Sequence, residues 1–340
     1  MTALTQAKQS AKPFLKQAFM FFIGAVLLGV MLKTQSLDNL SILLHTRPFF
    51  LCILIFISLF IYMIGGITMT LFARAYDPCF SFWRGIKLEF IALMVENLTI
   101  GAAGKGTQML LLHRQKLTWE QSLCCVGFDF INFQMVTFCF SMLVFCDSFM
   151  MRQFAVEMPV VITGFLCDIA PLAAAALLLY MPGIASLLHF LETKIRMRPR
   201  RQLLSSLKKG ARTLKQQRRI QQEPSRVFMV LISNFIRILF RHSLPILAAY
   251  ALHVEILPSQ YIHLFIASIF IELMISVVPV TGKHGIAESA FLLICTPLLP
   301  KGACLGVMIL WRLAVYYIPT VFAILIFMLT PDITWKSLHP

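Results

Sequence analysis

The chain has 340 residues, 59% of them hydrophobic and 13% charged, with a formal net charge of +15 and a mean hydropathy of +0.80. A soluble domain carries roughly 25% charged residues, so this composition excludes one and makes a lipid bilayer the main solvent of the chain.

Crossing about 30 Å of hydrocarbon takes a helix of about 20 apolar residues. The first such run, 14–32, follows Lys8, Lys12 and Lys16 but lacks a small-residue cleavage site, so it reads as a retained helix rather than a signal peptide. Further spans are expected at 49–72, 122–145, 160–181, 227–252 and 304–329. Two more apolar stretches, 86–112 and 261–299, are each broken near the middle by Gly-rich polar sequence and read as hairpins of two short helices. The expected fold is an all-α, polytopic membrane helix bundle of about six spans plus two re-entrant helical hairpins related as inverted repeats. It forms a single integral membrane domain over 1–340, with halves at 14–146 and 160–329.

With the N-terminus cytoplasmic, 21 of the 30 Lys and Arg residues fall in cytoplasmic segments, four outside and five at membrane depth. The positive-inside rule therefore predicts that both termini are cytoplasmic. The segment 192–226 carries twelve of these basic residues against Glu192 and Glu223. Leu203, Leu207, Ala211 and Leu214 recur there at helical spacing. Such a segment suits an amphipathic helix on an anionic leaflet, each basic residue contributing on the order of 1 kcal/mol. It lacks interleaved aromatics and any nucleic-acid-binding module, so nucleic acid is not an expected partner.

Nine cysteines are present. Cys52, Cys124, Cys125, Cys139, Cys167, Cys295 and Cys304 lie in or beside apolar segments without a CxxC pair or metal-ligand His spacing, so neither a metal nor a cofactor is expected. Trp83, Trp119 and Trp335 read as interfacial belt residues.

The first break runs from Glu96 and Asn97 through Gly101, Gly104, Lys105, Gly106 and Thr107; the second runs from Pro279 through Gly282, Lys283, His284 and Gly285 to Glu288. Each contains a Gly-Lys pair closely followed by another Gly, at matching places in the two halves. Unwound backbone at membrane depth survives only where protein or a water-filled cavity surrounds it. Paired breaks of this kind point to a site where they meet. Gly104-Lys105-Gly106-Thr107 is not a phosphate loop, which needs G-x-x-x-x-G-K-[ST] after a strand.

In its second break and last helix the chain resembles the flippase-like family named for the transmembrane region of lysylphosphatidylglycerol synthase. Members often show P-x-P-G-G-x-G-x-x-E followed by an Arg and a nearby Tyr. Pro279, Gly282, Gly285, Glu288, Arg312 and Tyr316 match, while Thr281 and Lys283 depart. Of the family's N-x-x-P-x-x-x-G-E and following acidic residue, Asn97, Gly104 and Asp129 match, while Ile100 and Lys105 depart. The resemblance covers about 15–330. It implies two re-entrant hairpins entering from opposite faces of a bacterial cytoplasmic (inner) membrane, and movement of aminoacylated or polyprenyl-linked lipids between leaflets. Only about ten residues follow the last span, so the aminoacyl-transferase domain of the synthase members is not expected.

Ionisable groups at membrane depth are functional candidates by default. Arg237 and Arg241 share a helix face that suits a lipid phosphate, or else they neutralise Glu272 or Asp129 within the bundle. Lys105 and Lys283 suit a phosphate-bearing head group, or else pair locally with Glu96 or Glu288. Arg312, Asn97 and Tyr316 complete the expected substrate-binding set. Glu288, Glu272 and Asp129 are candidates for proton coupling or ion pairing, with His284 a lesser one and Asp168 a further buried carboxylate. Asn97 and Asn132 also suit cross-helix bonds. The leading functional expectation is a lipid flippase or lipid-linked transporter for an anionic or aminoacylated lipid. The alternatives are a membrane enzyme modifying a head group, for which no catalytic motif is present, and a non-transporting scaffold for a separate synthase. Expected partners are membrane lipids, a separate synthase, or a second copy of the chain.

Overall fold

The computed structural model describes residues 46–99, 103–180, 223–277, 285–300 and 302–330. The expected first span, both termini with Trp335, and 192–222 of the basic segment lie outside the described residues, as do Gly101, Pro279, Gly282, Lys283 and His284.

Regular structure among the described residues is helical throughout. Helix α1, Pro48–Ala73, begins on a proline, whose fixed φ and missing N–H suit a first turn. Helices α2, Phe82–Leu98, and α3, Ala103–Arg114, flank the first break and pack on each other. Helix α4, Trp119–Cys146, opens on a capping box in which Thr118 and Gln121 each bond the other's backbone N–H. At its far end Asp147 accepts from the N–H groups of Phe149 and Met150 and starts the short α5, Ser148–Gln153. Helix α6, Met158–Tyr180, follows.

The second half contains α7, Pro224–Ala251, and α8, Pro258–Ser276, then α9, Ile286–Cys295, beyond the second break. Helix α10, Ala303–Arg312, passes through a π-helical turn, Leu313–Tyr317, into α11, Ile318–Met328. Helices α8 and α9 pack together across their break, as α2 and α3 do across theirs. The arms differ in length: α8 has 19 residues and α9 has 10. At about 1.5 Å per residue α8 is long enough to cross the hydrocarbon, because its apolar run meets no breaker before the second break.

Five described helical segments are long and apolar enough to cross a membrane, namely α1, α4, α7, α8 and the continuous Ala303–Met328. The chain is a multi-pass integral membrane protein. Large apolar side chains such as Phe56, Phe228, Leu325 and Met328 stand exposed on its flanks, as expected where lipid is the solvent.

Small residues set the closest helix crossings. A Cβ on Gly66 of α1 would overlap the Ile86 backbone, and one on Gly85 would overlap the Gly66 carbonyl, so α1 and α2 touch backbone to backbone. Gly164 brings α6 equally close to the Leu273 carbonyl of α8. Most of the buried apolar core joins α7 to α10 with parts of α1, α4 and α6. A smaller core at one end of the bundle joins α1, α2, α3 and α4.

Candidate functional site

Between these cores lies a cavity of about 590 Å³, lined by residues of α1, α2, α3, α4, α6, α7, α8, α10 and the π-helical turn. Arg237 on its wall stands 13 residues after Pro224 and 14 before Ala251, midway along α7. That is about 20 Å from either helix end. Of the expected binding residues, Lys105, Arg237, Arg241, Arg312, Asn97 and Tyr316 all line this cavity, as does Glu272.

Each of the four cations meets a carboxylate. Lys105 Nζ lies 2.9 Å from Asp129 Oδ2, Arg237 Nη2 2.6 Å from Glu89 Oε1, Arg241 Nη2 2.8 Å from Glu272 Oε1, and Arg312 Nε 2.8 Å from Glu288 Oε1. A charge at such depth costs several kcal/mol unless paired and hydrogen-bonded, which explains the one-to-one matching. The pairs differ in access. The side chains of Arg312 and Glu288 are 6% and 2% exposed, whereas those of Arg241 and Glu272 are 34% and 29% exposed. Asp129 and Glu288 stand behind the cations they hold, while Glu272 is on the cavity wall itself.

The local sequence explains each position. Lys105 is the third residue of α3, near the positive end of that helix. Asp129 offsets the resulting repulsion, and its other oxygen accepts from Thr68 Oγ1 at 2.8 Å. Helix α3 sits against α2 because Gly104 has no side chain: a Cβ there would lie 2.9 Å from the Ala92 carbonyl. Gly106 meets nothing within 4 Å. Gly285 precedes α9 at φ 78°, where a side chain is strained, and lets the helix start so that Glu288 falls in its first turn. A carboxylate is favoured at that end.

The seam between α7 and α8 carries Arg241 and His242 opposite Ser268 and Glu272. His242 Nδ1 is 3.1 Å from Ser268 Oγ, and Nε2 is 3.6 Å from Glu272 Oε2. Pro245 lies inside α7 and lacks the N–H that would bond the Arg241 carbonyl one turn back. Where α10 becomes the π-helical turn, the Ala314 and Val315 carbonyls accept from Ser58 Oγ and Tyr62 Oη of α1. The Arg312 guanidinium lies 4.8 Å from the centre of the Tyr316 ring, a cation–π distance.

Asn97 donates to Thr320 Oγ1 at 2.7 Å, a cross-helix bond. Asn132 instead donates back to the Phe128 carbonyl of its own helix. The expectation that Arg237 and Arg241 neutralise Glu272 or Asp129 is half realised. Arg241 takes Glu272, but Arg237 takes Glu89, and Asp129 is held by Lys105. Lys105 therefore pairs with a neighbouring span rather than locally with Glu96. Sequence reasoning did not pick out Glu89, Tyr62, Gln108 or His242. Gln108 Nε2 donates to Glu89 Oε2 at 2.6 Å, so both oxygens of Glu89 are engaged. Glu89 and Glu96, seven residues apart on α2, both line the cavity. That two-turn spacing was the available signal.

The family model for the lysylphosphatidylglycerol synthase TM region matches residues 17–323, most of the chain. The chain belongs to this family, and a membrane lipid-related role follows. No curated protein matches it.

Proposed function

Because the chain belongs to that family, we propose that it is a lipid flippase: it carries a phosphate-bearing or aminoacylated lipid between the leaflets of the bacterial inner membrane, with both termini cytoplasmic. One observation carries the reading. A cavity midway along the long helices holds guanidinium, ammonium and carboxylate groups together, lined by both helices that bracket the first break and by α8, which precedes the second.

A cavity of about 590 Å³ falls within the roughly 300–1,000 Å³ of small-molecule sites. It suits a head group whose acyl chains stay in the surrounding lipid. Arg241 spends one donor on Glu272 and a guanidinium has five, so a phosphate can be bound without breaking the pair. Glu96 and Asp168 on the same wall supply acceptors for an ammonium, so a head group bearing both charges is matched on both. In this reading the α2–α3 pair is a re-entrant hairpin and α8–α9 is its inverted counterpart, with α8 lengthened into a crossing helix.

The experiment is reconstitution into liposomes carrying a fluorescent phosphatidylglycerol or its lysyl ester in one leaflet. Protein-dependent exposure of the probe in the other leaflet is expected, with its head group chemically intact. Failure to move either lipid overturns the proposal, and a changed head group points to an enzyme.

A further inference from the structure

A second cavity, of about 750 Å³, opens where α1 ends, α2 begins, α3 ends, α4 begins and α11 ends. It shares no lining residue with the central one. Helix α2 divides them: Glu89, Ala92, Leu93 and Glu96 face the central cavity, and Arg84, Lys87, Leu88 and Ile91 face this one.

The wall carries four cations, Arg84, Lys87, Arg114 and Lys116, against one carboxylate, Asp77. Among the described residues none of the four cations is in an ion pair, in contrast to all four cations of the central cavity. Asp77 Oδ1 accepts from the Cys79 N–H in its own turn. Lys116 stands at φ 74° in the turn that ends α3, where the Leu117 N–H bonds the Leu112 carbonyl. Gln121 gives its carboxamide oxygen to the Thr118 N–H, so its NH2 is the group left to donate. Beneath the charged rim Leu88, Ile91, Leu111 and Leu117 form an apolar floor, each buried.

We propose that this cavity is a second ligand site, which binds a phosphate ester through Arg84, Lys87, Arg114 and Lys116 and rests the ester's glycerol or acyl base on the apolar floor. Guanidinium pairs bidentately with phosphate, and ammonium adds point charge. Basic pockets between helices at a membrane surface take anionic head groups. The same chemistry serves a phospholipid held at the interface or a soluble phosphate ester.

The test is a thermal-melting titration of the purified full chain in neutral detergent, with glycerol 3-phosphate, dihexanoyl phosphatidylglycerol and dihexanoyl phosphatidylcholine as probes. Concentration-dependent stabilisation is expected from at least one of the two anionic probes. Stabilisation by glycerol phosphate identifies a soluble ester, and stabilisation by phosphatidylglycerol alone that weakens in the double variants of this cavity identifies a lipid head group. The double variants Arg84→Gln/Arg114→Gln and Lys87→Gln/Lys116→Gln alter exposed side chains only, so at least one is expected to melt like the parent without ligand. That variant should need at least tenfold more ligand for half-maximal stabilisation, whereas Arg152→Gln, at an exposed residue on neither cavity wall, should titrate like the parent. The proposal is overturned if neither anionic probe stabilises, if phosphatidylcholine does as well as phosphatidylglycerol, or if the double variants titrate like the parent.

Discussion

Glu89 of α2 and Arg237 of α7, 148 residues apart in the chain, meet at 2.6 Å in a recess that Gly65 of α1 leaves open. Both side chains are at most 10% exposed, so the pair fastens three helices where water cannot replace a lost partner. Removing one member of such a pair costs about 3–5 kcal/mol. Glu89→Ala is therefore expected to lower the melting temperature in detergent sharply. Glu89→Gln, which keeps an acceptor for Arg237, should cost less. Equal melting of Glu89→Ala and the parent would contradict this role.

The recess itself yields a graded prediction. A Cβ on Gly65 would lie 2.5 Å from Glu89 Oε1 and 2.8 Å from Arg237 Nη1, both ends of side chains, whereas one on Gly66 would meet Ile86 backbone. Side chains can shift and backbone cannot. Gly66→Ala should cost more than Gly65→Ala, each falling in or above the range of about 1–3 kcal/mol for overpacking. Gly106→Ala and Gly127→Ala, with nothing within 4 Å of their added methyl groups, should instead stabilise by about 0.4–1 kcal/mol. Chemical or thermal unfolding of the four variants checks the order.

These glycines mark the limit of what the sequence disclosed. The spans at 49–72, 122–145 and 227–252 match α1, α4 and α7 to within a few residues, because hydrocarbon thickness sets helix length directly. Lys105, Arg237, Arg241 and Arg312 were legible for a related reason: a charge inside an apolar run has few bland explanations. Their partners were not. Which carboxylate neutralises which cation depends on how helices cross, and crossings here are set by Gly65, Gly66, Gly85 and Gly164, whose neighbours lie elsewhere in the chain. Glu89 escaped notice because Lys87 stands two residues before it and makes that stretch read as a helix end. The unpaired basic cavity was hidden differently, since its cations come from the ends of α2 and α3, where Lys and Arg ordinarily mark only topology.

Arg241 and Glu272 form the pair with the greatest shared exposure at the central cavity, at 34% and 29%. A pair open to water contributes less to stability than a buried one, so Arg241→Gln should melt closer to the parent than Arg237→Gln does. The head-group role of Arg241 predicts a fall of tenfold or more in the rate of lipid translocation in liposomes. Arg237→Gln should lose both properties together, because it leaves Glu89 buried without its cation. Dithionite quenching of a fluorescent lipid, beside a melting curve for each variant, separates the two patterns. Arg241→Gln with full translocation would remove this residue from the substrate path.

Lys105 and Asp129 tie the first break to α4, and Thr68 of α1 completes the cluster through the second Asp129 oxygen. Only Lys105 is accessible, at 31% against 1% for its partner. Asp129→Asn leaves the ammonium with a neutral acceptor, and Lys105→Met leaves a carboxylate deep in the bundle with only the Thr68 hydroxyl. The second change strands the more buried charge and should therefore destabilise more. Contacting partners couple by about 0.5–3 kcal/mol in double-mutant cycles, so the double variant should be more stable than the sum of the single losses predicts. Translocation by the double variant then isolates the head-group role of Lys105 from its structural one. If Lys105 serves only to neutralise Asp129, the double variant will move lipid at the parental rate; if it meets the phosphate, restored stability will leave the rate depressed by tenfold or more.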